Sequence, residues 1–124
     1  MQLIISTTFI FVAVIHFLPA LGVLGADQLA KLYGLKIEEP NLLVLMRHRA
    51  FLFGLLGGIF TLCAFRPMYQ PIGFVAGFAS VLSFLFLSWP GQALNQQISR
   101  VFVADIVALI CLIVGLAAYI KSMN

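Results

Sequence analysis

Charged residues are scarce in this chain. Only 9% of its 124 residues carry a charge, with seven Lys and Arg and four Asp and Glu. A typical soluble domain has about 25% charged residues, so the composition excludes an ordinary soluble protein. The mean hydropathy of +1.13 predicts an integral membrane protein instead. The basic residues are spread over loops and helix ends, which is typical of membrane topology rather than of nucleic-acid binding.

Cysteine is nearly absent as well. Cys63 and Cys111 are far apart, lie in apolar surroundings and form no Cys-x-x-Cys motif. This pattern signals neither thiol redox chemistry nor a metal site, and both cysteines are predicted to be buried and structural. The sequence also lacks internal repeats and low-complexity segments, so residues 1–124 are interpreted as a single membrane domain.

Long apolar runs are what the sequence does contain. The first lacks the basic start of a signal peptide and is too long for its apolar region, so it is interpreted as a retained span. Runs of this length predict membrane-spanning helices. Four spans are predicted, at about residues 3–24, 42–65, 72–89 and 100–120. Short connections between them favour an all-α, up-down-up-down four-helix bundle.

The one sizeable polar stretch lies between the first two spans. It predicts a short interfacial helix with Asp27 as its cap and Gly34 as its stop. A plain surface connector is the alternative. Glu39 and Pro40 then suit the start of the second span, and Ser99 is the predicted cap of the fourth.

Small residues recur at helical spacing in three of the spans and predict close helix packing. They are Ala50, Gly54 and Gly58 in the second span, Gly73, Ala76, Gly77 and Ser80 in the third, and Ala104, Ala108, Cys111 and Gly115 in the fourth.

The second span contains the unusual sequence Arg47-His48-Arg49. An ionisable group inside a span costs roughly 2.5–3.5 kcal/mol, so such groups usually serve a pathway, a ligand or an internal partner. Arginines near a helix end can also snorkel to the interface. At about 1.5 Å per residue, His16, His48, Ser83 and Asp105 all lie roughly 9–12 Å from one face. Each of the four spans thus supplies a polar group to one layer, while the opposite half of the bundle is apolar.

Arg47 and Arg49 point roughly 200° apart on a straight helix. Arg47 follows the stripe of small residues, so Arg47 and His48 are predicted to face inward and Arg49 to contact lipid headgroups. We expect His16, Arg47, His48, Ser83 and Asp105 to line a ligand pocket that opens toward the first loop. A structural ion pair between Asp105 and one arginine is the alternative.

The layout resembles the small four-helix DoxX-like proteins of the bacterial inner membrane, in particular an uncharacterised subgroup. The residues that carry the resemblance span most of the chain: Leu18-Pro19, Gly22-Val23-Leu24-Gly25, Tyr33-Gly34, Met46-Arg47-His48-Arg49-Ala50, Phe53-Gly54-Leu55-Leu56-Gly57 and Asp105-Ile106-Val107. The resemblance implies the fold and the location but no activity. Related sequences are sometimes labelled phosphopantetheine adenylyltransferase, yet this chain has no Gly-rich or His-x-x-His phosphate motif.

Three classes of function fit these residues. The first is a binding or accessory membrane protein whose pocket takes a lipid- or quinone-like amphipathic molecule or which joins a partner membrane protein. The second is an oligomeric transporter or channel. The third is a membrane enzyme with His16 or His48 as general base, oriented by Asp105. No cofactor is expected, although a haem held by His16 and His48 is an alternative. The basic residues of the first and third loops favour an orientation with both termini outside.

Overall fold

The computed structural model describes residues 1–88 and 95–124, and these residues are helical with short connections and no strand. The helices are α1 (Gln2–Ala20), α2 (Ala26–Tyr33), α3 (Pro40–Phe65), α4 (Gln70–Ser88) and α5 (Gln96–Ser122). Two 3₁₀ turns, Leu21–Leu24 and Pro67–Tyr69, extend α1 and precede α4. The all-α prediction is confirmed for the described residues. Residue 89, the predicted end of the third span, lies outside them.

Four of the helical segments are long and apolar enough to cross a membrane. They are Gln2–Leu24, Pro40–Phe65, Pro67–Ser88 and Gln96–Ser122. Large apolar side chains also cover the outside of the molecule, for example Leu3 at 80% and Phe86 at 81% exposure. Water would not tolerate an apolar surface of this extent on a monomeric protein, whereas lipid does. These features are those of a multi-pass membrane protein.

Local chemistry explains where α3 and α5 begin. The Glu39 carboxylate accepts hydrogen bonds from the backbone N–H groups of Asn41 and Leu42, at 3.1 and 2.8 Å. These bonds lower the pKa of the Glu39 carboxyl, and Pro40 occupies the first turn as predicted. In α5 the predicted cap was wrong. Asn95 caps the helix by accepting from Ile98 N at 2.8 Å, so α5 begins one turn before Ser99.

The predicted short helix between the first two spans is present as α2. Gly34 ends it in the left-handed conformation, at φ 67°, as the sequence predicted. The predicted cap was wrong, because Gly25 (φ 130°) is the N-cap and Asp27 lies inside the first turn without a capping bond. The apolar side of α2 is buried: Leu29 and Tyr33 form a small core with Ile37. This packing holds α2 against the ends of the long helices.

The main core lies around α1, which contacts both α3 and α5, while α4 packs against α5. Its largest buried side chains include Phe9 of α1, Phe60 of α3 and Leu112 of α5, all fully buried. Phe9 stacks on Phe60 and tilts against Phe74, at centroid distances of 6.4 and 4.8 Å. These apolar contacts fill the half of the molecule that is away from α2.

Small residues allow the close approach of the helices, with one correction to the predicted stripes. Gly57, not Gly58, is buried in α3: a Cβ atom on Gly57 would lie 2.8 Å from the Phe17 ring, whereas one on Gly58 would meet open space. The predicted close contacts hold for Gly77 against Leu112 and for Gly115 against Thr8. Cys63 is buried and Cys111 half-buried, and both are free thiols.

We expect Gly73→Ala to destabilise the protein by about 1–3 kcal/mol, the usual cost of overpacking a core. The added Cβ would lie 2.6 Å from the Cys63 sulfur and 2.8 Å from the fully buried Phe9 ring. Gly58→Ala is the matched control, because it meets no neighbour and gains up to about 1 kcal/mol of helix propensity. Thermal melts in mild detergent measure both variants. A Gly73→Ala protein as stable as Gly58→Ala would contradict the packing described.

Candidate functional site

A cavity of about 350 Å³ opens where the last turns of α1 and the second half of α4 meet α2, the middle of α3 and the first turns of α5. Apolar side chains such as Ile15, Leu32, Phe84 and Val101 form much of its wall. Every helix also contributes a polar group. The polar lining residues are His16, Lys31, Tyr33, Arg49, Ser80, Gln97, Arg100 and Asp105. The predicted convergence of polar groups from all four long helices is therefore present, although its membership differs.

Arg49 is the most closely held cation of the cavity. Its Nη1 donates a hydrogen bond of 2.7 Å to the Tyr33 hydroxyl. Its guanidinium carbon lies 5.3 Å from the Tyr33 ring centroid and 4.7 Å from that of Phe53. Cation–π contacts of this kind stabilise an arginine at about 0.5–2 kcal/mol each. Because a guanidinium has five N–H donors and one of them is used among residues 1–88 and 95–124, Arg49 has further donors for an acceptor in the cavity.

His16 is 2% exposed and forms two hydrogen bonds. Its Nδ1 lies 2.9 Å from the backbone oxygen of Val12, and its Nε2 lies 2.8 Å from the Ser80 hydroxyl. A carbonyl oxygen can only accept, so Nδ1 carries a proton. In the neutral ring Nε2 then accepts from Ser80. The Phe53 and Phe60 rings pack beside the imidazole at centroid distances of 5.7 and 4.8 Å, and this fixes its orientation.

Asp105 is the buried carboxyl of the cavity, with 9% of its surface exposed. No hydrogen bond or ion pair joins it to another residue in the described part of the chain. Arg49 is the charged group that acts on it, through space rather than by direct contact. A buried polar group without a partner normally costs about 1–3 kcal/mol. An unpaired carboxyl at the cavity wall is therefore a feature that a bound ligand can explain.

The predicted directions of the two arginine side chains were wrong. Arg47 and His48 are exposed and do not line the cavity, whereas Arg49 is half-buried in it. The side chain of Arg47 instead donates from Nε to the backbone oxygen of Val23 at 2.9 Å. The physical reason is that the side of α3 that bears Arg49 and Phe53 packs toward His16 and Tyr33. The stripe of small residues did not identify that side.

Ser83 lies outside the cavity, contrary to prediction. It is exposed, donates to the backbone oxygen of Ser80 at 2.9 Å, and lines an adjoining groove of about 550 Å³ between α3 and α4. The reason is the orientation of α4 about its axis: Ser80, three residues earlier, faces His16 and the cavity, and Ser83 faces the groove. The sequence had assigned Ser80 only to a packing stripe.

The cavity residues Gln97 and Arg100 were missed, whereas Tyr33 belongs to the segment 27–33 that was expected to cover the pocket in part. For Gln97 and Arg100 a usable signal existed. Asn95 is a good capping residue, and a helix that begins at Gln96 places Gln97, Arg100 and Ala104 along one side. Setting the cap at Ser99 left Gln97 outside the predicted span and Arg100 at its first residue.

The histidines do not form the arrangements considered for an enzyme or a haem site. His16 is oriented by Val12 and Ser80 rather than by Asp105. His48 does not line the cavity that His16 lines, so the two side chains do not face a common ligand. Within the described residues no cluster of three or more His, Cys, Asp or Glu side chains has the geometry for a metal ion.

The cavity thus combines an apolar wall with free guanidinium donors on one side and an unpaired carboxyl on the other. Such a site can accept a hydroxyl hydrogen at Asp105 and donate to an oxygen from Arg49. Among the described lining residues, the Ser80 hydroxyl donates to Nε2 of His16, a serine–histidine contact of the kind that activates a nucleophile, but the Val12 carbonyl and not a carboxylate orients this histidine. The sequence matches no known protein family, and no curated protein or solved structure is significantly similar to the chain.

Proposed function

We propose that this protein binds the polar head of a lipid- or quinone-like amphipathic molecule in the cavity beside Arg49 and Asp105. In this proposal it is a DoxX-like protein of the bacterial inner membrane. Its four long helices cross the bilayer up-down-up-down, with both termini outside. The observation that carries the proposal is that two groups line the same largely apolar cavity: the Arg49 cation, held by Tyr33, and the Asp105 carboxyl, which has no bonded partner among the described residues.

The charges support a head group with both an acceptor and a donor. Arg49 is oriented by Tyr33 and Phe53 before any ligand arrives, so little side-chain entropy is lost when it binds an oxygen. Asp105 lies in the same cavity and can accept a hydrogen bond from a hydroxyl group of the head. A head with a carbonyl or ether oxygen and a hydroxyl group satisfies both residues.

The position of the exposed basic residues supports the membrane placement. Arg47 and His48 lie on the outer side of α3 near its start, and Arg47 is the better candidate for headgroup contact that was first assigned to Arg49. Long basic side chains near a helix end reach the interface in this way. The cavity then lies just below the headgroups of one leaflet.

The structure gives less support to the other two classes. A channel needs a polar path, but the half of the molecule away from α2 is filled by Phe9, Phe60 and Leu112. The enzyme considered from the sequence required Asp105 to orient the histidine base, whereas the Val12 carbonyl and the Ser80 hydroxyl hold His16. Binding of a polar head requires only hydrogen-bonding groups that face the cavity, and Arg49 and Asp105 provide them. A role as the accessory subunit of a partner membrane protein is compatible with ligand binding.

Native mass spectrometry of the protein in mild detergent tests the proposal. We expect a bound species of defined mass, at one per chain, that extraction into organic solvent identifies as a lipid or a quinone. Delipidated protein should rebind the extracted species and gain thermal stability, because a ligand that binds only the folded state stabilises it. A chain that carries no such species, and that no added lipid or quinone stabilises, would contradict the proposal.

A further inference from the structure

The cavity adjoins the groove between α3 and α4. Four residues line both spaces: Arg49, Phe53, Ser80 and Phe84. Beyond these, the groove is walled mainly by apolar side chains, namely Leu52, Leu56, Ala76, Ala79 and Leu87. Among the described lining residues, Ser83 is the one further polar residue, and its hydroxyl hydrogen is already donated to Ser80 O. The groove is therefore an apolar extension of a polar cavity.

The groove has the length of one lipid leaflet. Ala76 and Leu87 are eleven residues apart on α4, which corresponds to about 16 Å at 1.5 Å per residue. The hydrocarbon core of a bilayer is about 30 Å thick, so the groove covers about half of it. Small side chains make the space: Ala76 and Ala79 leave room beside Leu52 and Leu56 of α3.

We propose that this groove holds the hydrocarbon chain of the ligand whose head binds in the cavity, and that the ligand reaches the cavity laterally, between α3 and α4. The inference rests on the proposed function. The occupant follows from the lining residues that the cavity and the groove share. One molecule with its head at Arg49 and its chain along Ala79 fills both spaces without a break. A neighbouring helix would cover the groove from outside and leave the cavity unfilled.

Blocking the groove tests this inference without touching the head site. Ala79→Phe places an aromatic ring in the groove, and Val75→Phe places the same ring on α4 at a side chain that is 72% exposed and lines neither space. The probes are a decyl-substituted benzoquinone and monoolein, each compared with its tailless counterpart, the unsubstituted benzoquinone ring and glycerol. The two pairs distinguish a quinone from a glycerolipid as the source of the head.

We expect the full-length wild-type chain to bind at least one tailed probe more tightly than its tailless counterpart, by about tenfold or more, since each buried methylene adds to affinity. Ala79→Phe should remove most of that difference and leave the tailless affinity unchanged. Val75→Phe should behave as wild type. An unchanged tail preference in Ala79→Phe would overturn the inference. So would equal binding of tailed and tailless probes by the wild type, although the head site would then stand.

A labelling experiment keeps the test independent of variant folding. Monoolein with a photoreactive diazirine at its chain end should label the wild-type protein near Leu56 or Ala76, at the far end of the groove. Labelling confined to other parts of α1 or α5 would overturn the inference. If no probe of either pair binds the wild-type chain at all, the proposed function itself fails, and the groove assignment fails with it.

Discussion

Arg49→Ala is expected to lose the bound ligand, whereas Arg47→Ala should retain it. A hydrogen bond to a charged group contributes about 1.5–3 kcal/mol, so losing the guanidinium should weaken binding roughly 10–100-fold. Arg47 lies about half a turn away, on the outer side of α3, and donates to Val23 O rather than into the cavity. Both variants remove one arginine from the same helix and change the net charge equally. A difference between their ligand affinities therefore reports the position of the arginine. Native mass spectrometry and rebinding of the extracted ligand give the readout.

A second variant separates binding from folding. Arg49→Ala also loses the Tyr33 hydrogen bond and two cation–π contacts, which should lower stability by about 1–3 kcal/mol. Arg49→Lys keeps the charge but not the planar fork, so it should fold well and bind with intermediate affinity. Ligand retained by a folded Arg49→Ala protein, or lost only from Arg47→Ala, would show that Arg49 does not bind the head.

Asp105→Asn should change the charge preference of the cavity with little effect on stability. At a pH at which the Asp105 carboxyl is ionised, its repulsion of an anion a few ångströms away is worth about 1–3 kcal/mol at an intermediate effective dielectric constant. Removing it should raise the affinity for an anionic amphiphile such as oleate by about tenfold or more. Asp27→Asn removes the same charge from an exposed position on α2 that does not line the cavity, and it should leave oleate binding unchanged. Isothermal titration of delipidated protein with oleate measures both.

The stability of the same variant tests the alternative of a structural ion pair. If Asp105 neutralised a buried arginine, its loss would cost roughly 3–5 kcal/mol. The structure predicts a cost below about 1 kcal/mol instead, because Arg49 already has the Tyr33 hydroxyl and two aromatic faces, and Asp105 has no bonded partner among the described residues. A detergent melt in which Asp105→Asn unfolds far below the wild type would show that the carboxyl is structural.

Much of the fold could be predicted because it depends on local chemistry. Four apolar runs predicted the four long helices to within a few residues, except where the cap of α5 was misplaced. Pro40 and Gly34 mark a helix start and a helix end by their own backbone preferences. The depth of each polar residue along its helix also follows from the constant rise per residue. His16, Arg49 and Asp105 accordingly lie in one layer of the molecule.

The sequence by itself determined which residues share that layer, and only the tertiary structure decided which of them face one another. Periodicity gives the angle between Arg47 and Arg49, but α3 is apolar on nearly every side, so its pattern does not give the direction that points inward. The packing of α3 against its neighbours determines which of its sides faces inward. The Phe53 ring packs beside the His16 imidazole. Tyr33, the last residue of α2, is buried against Ile37 and accepts a hydrogen bond from Arg49. These contacts join residues far apart in sequence, and they turn Arg49 into the cavity and Arg47 out of it.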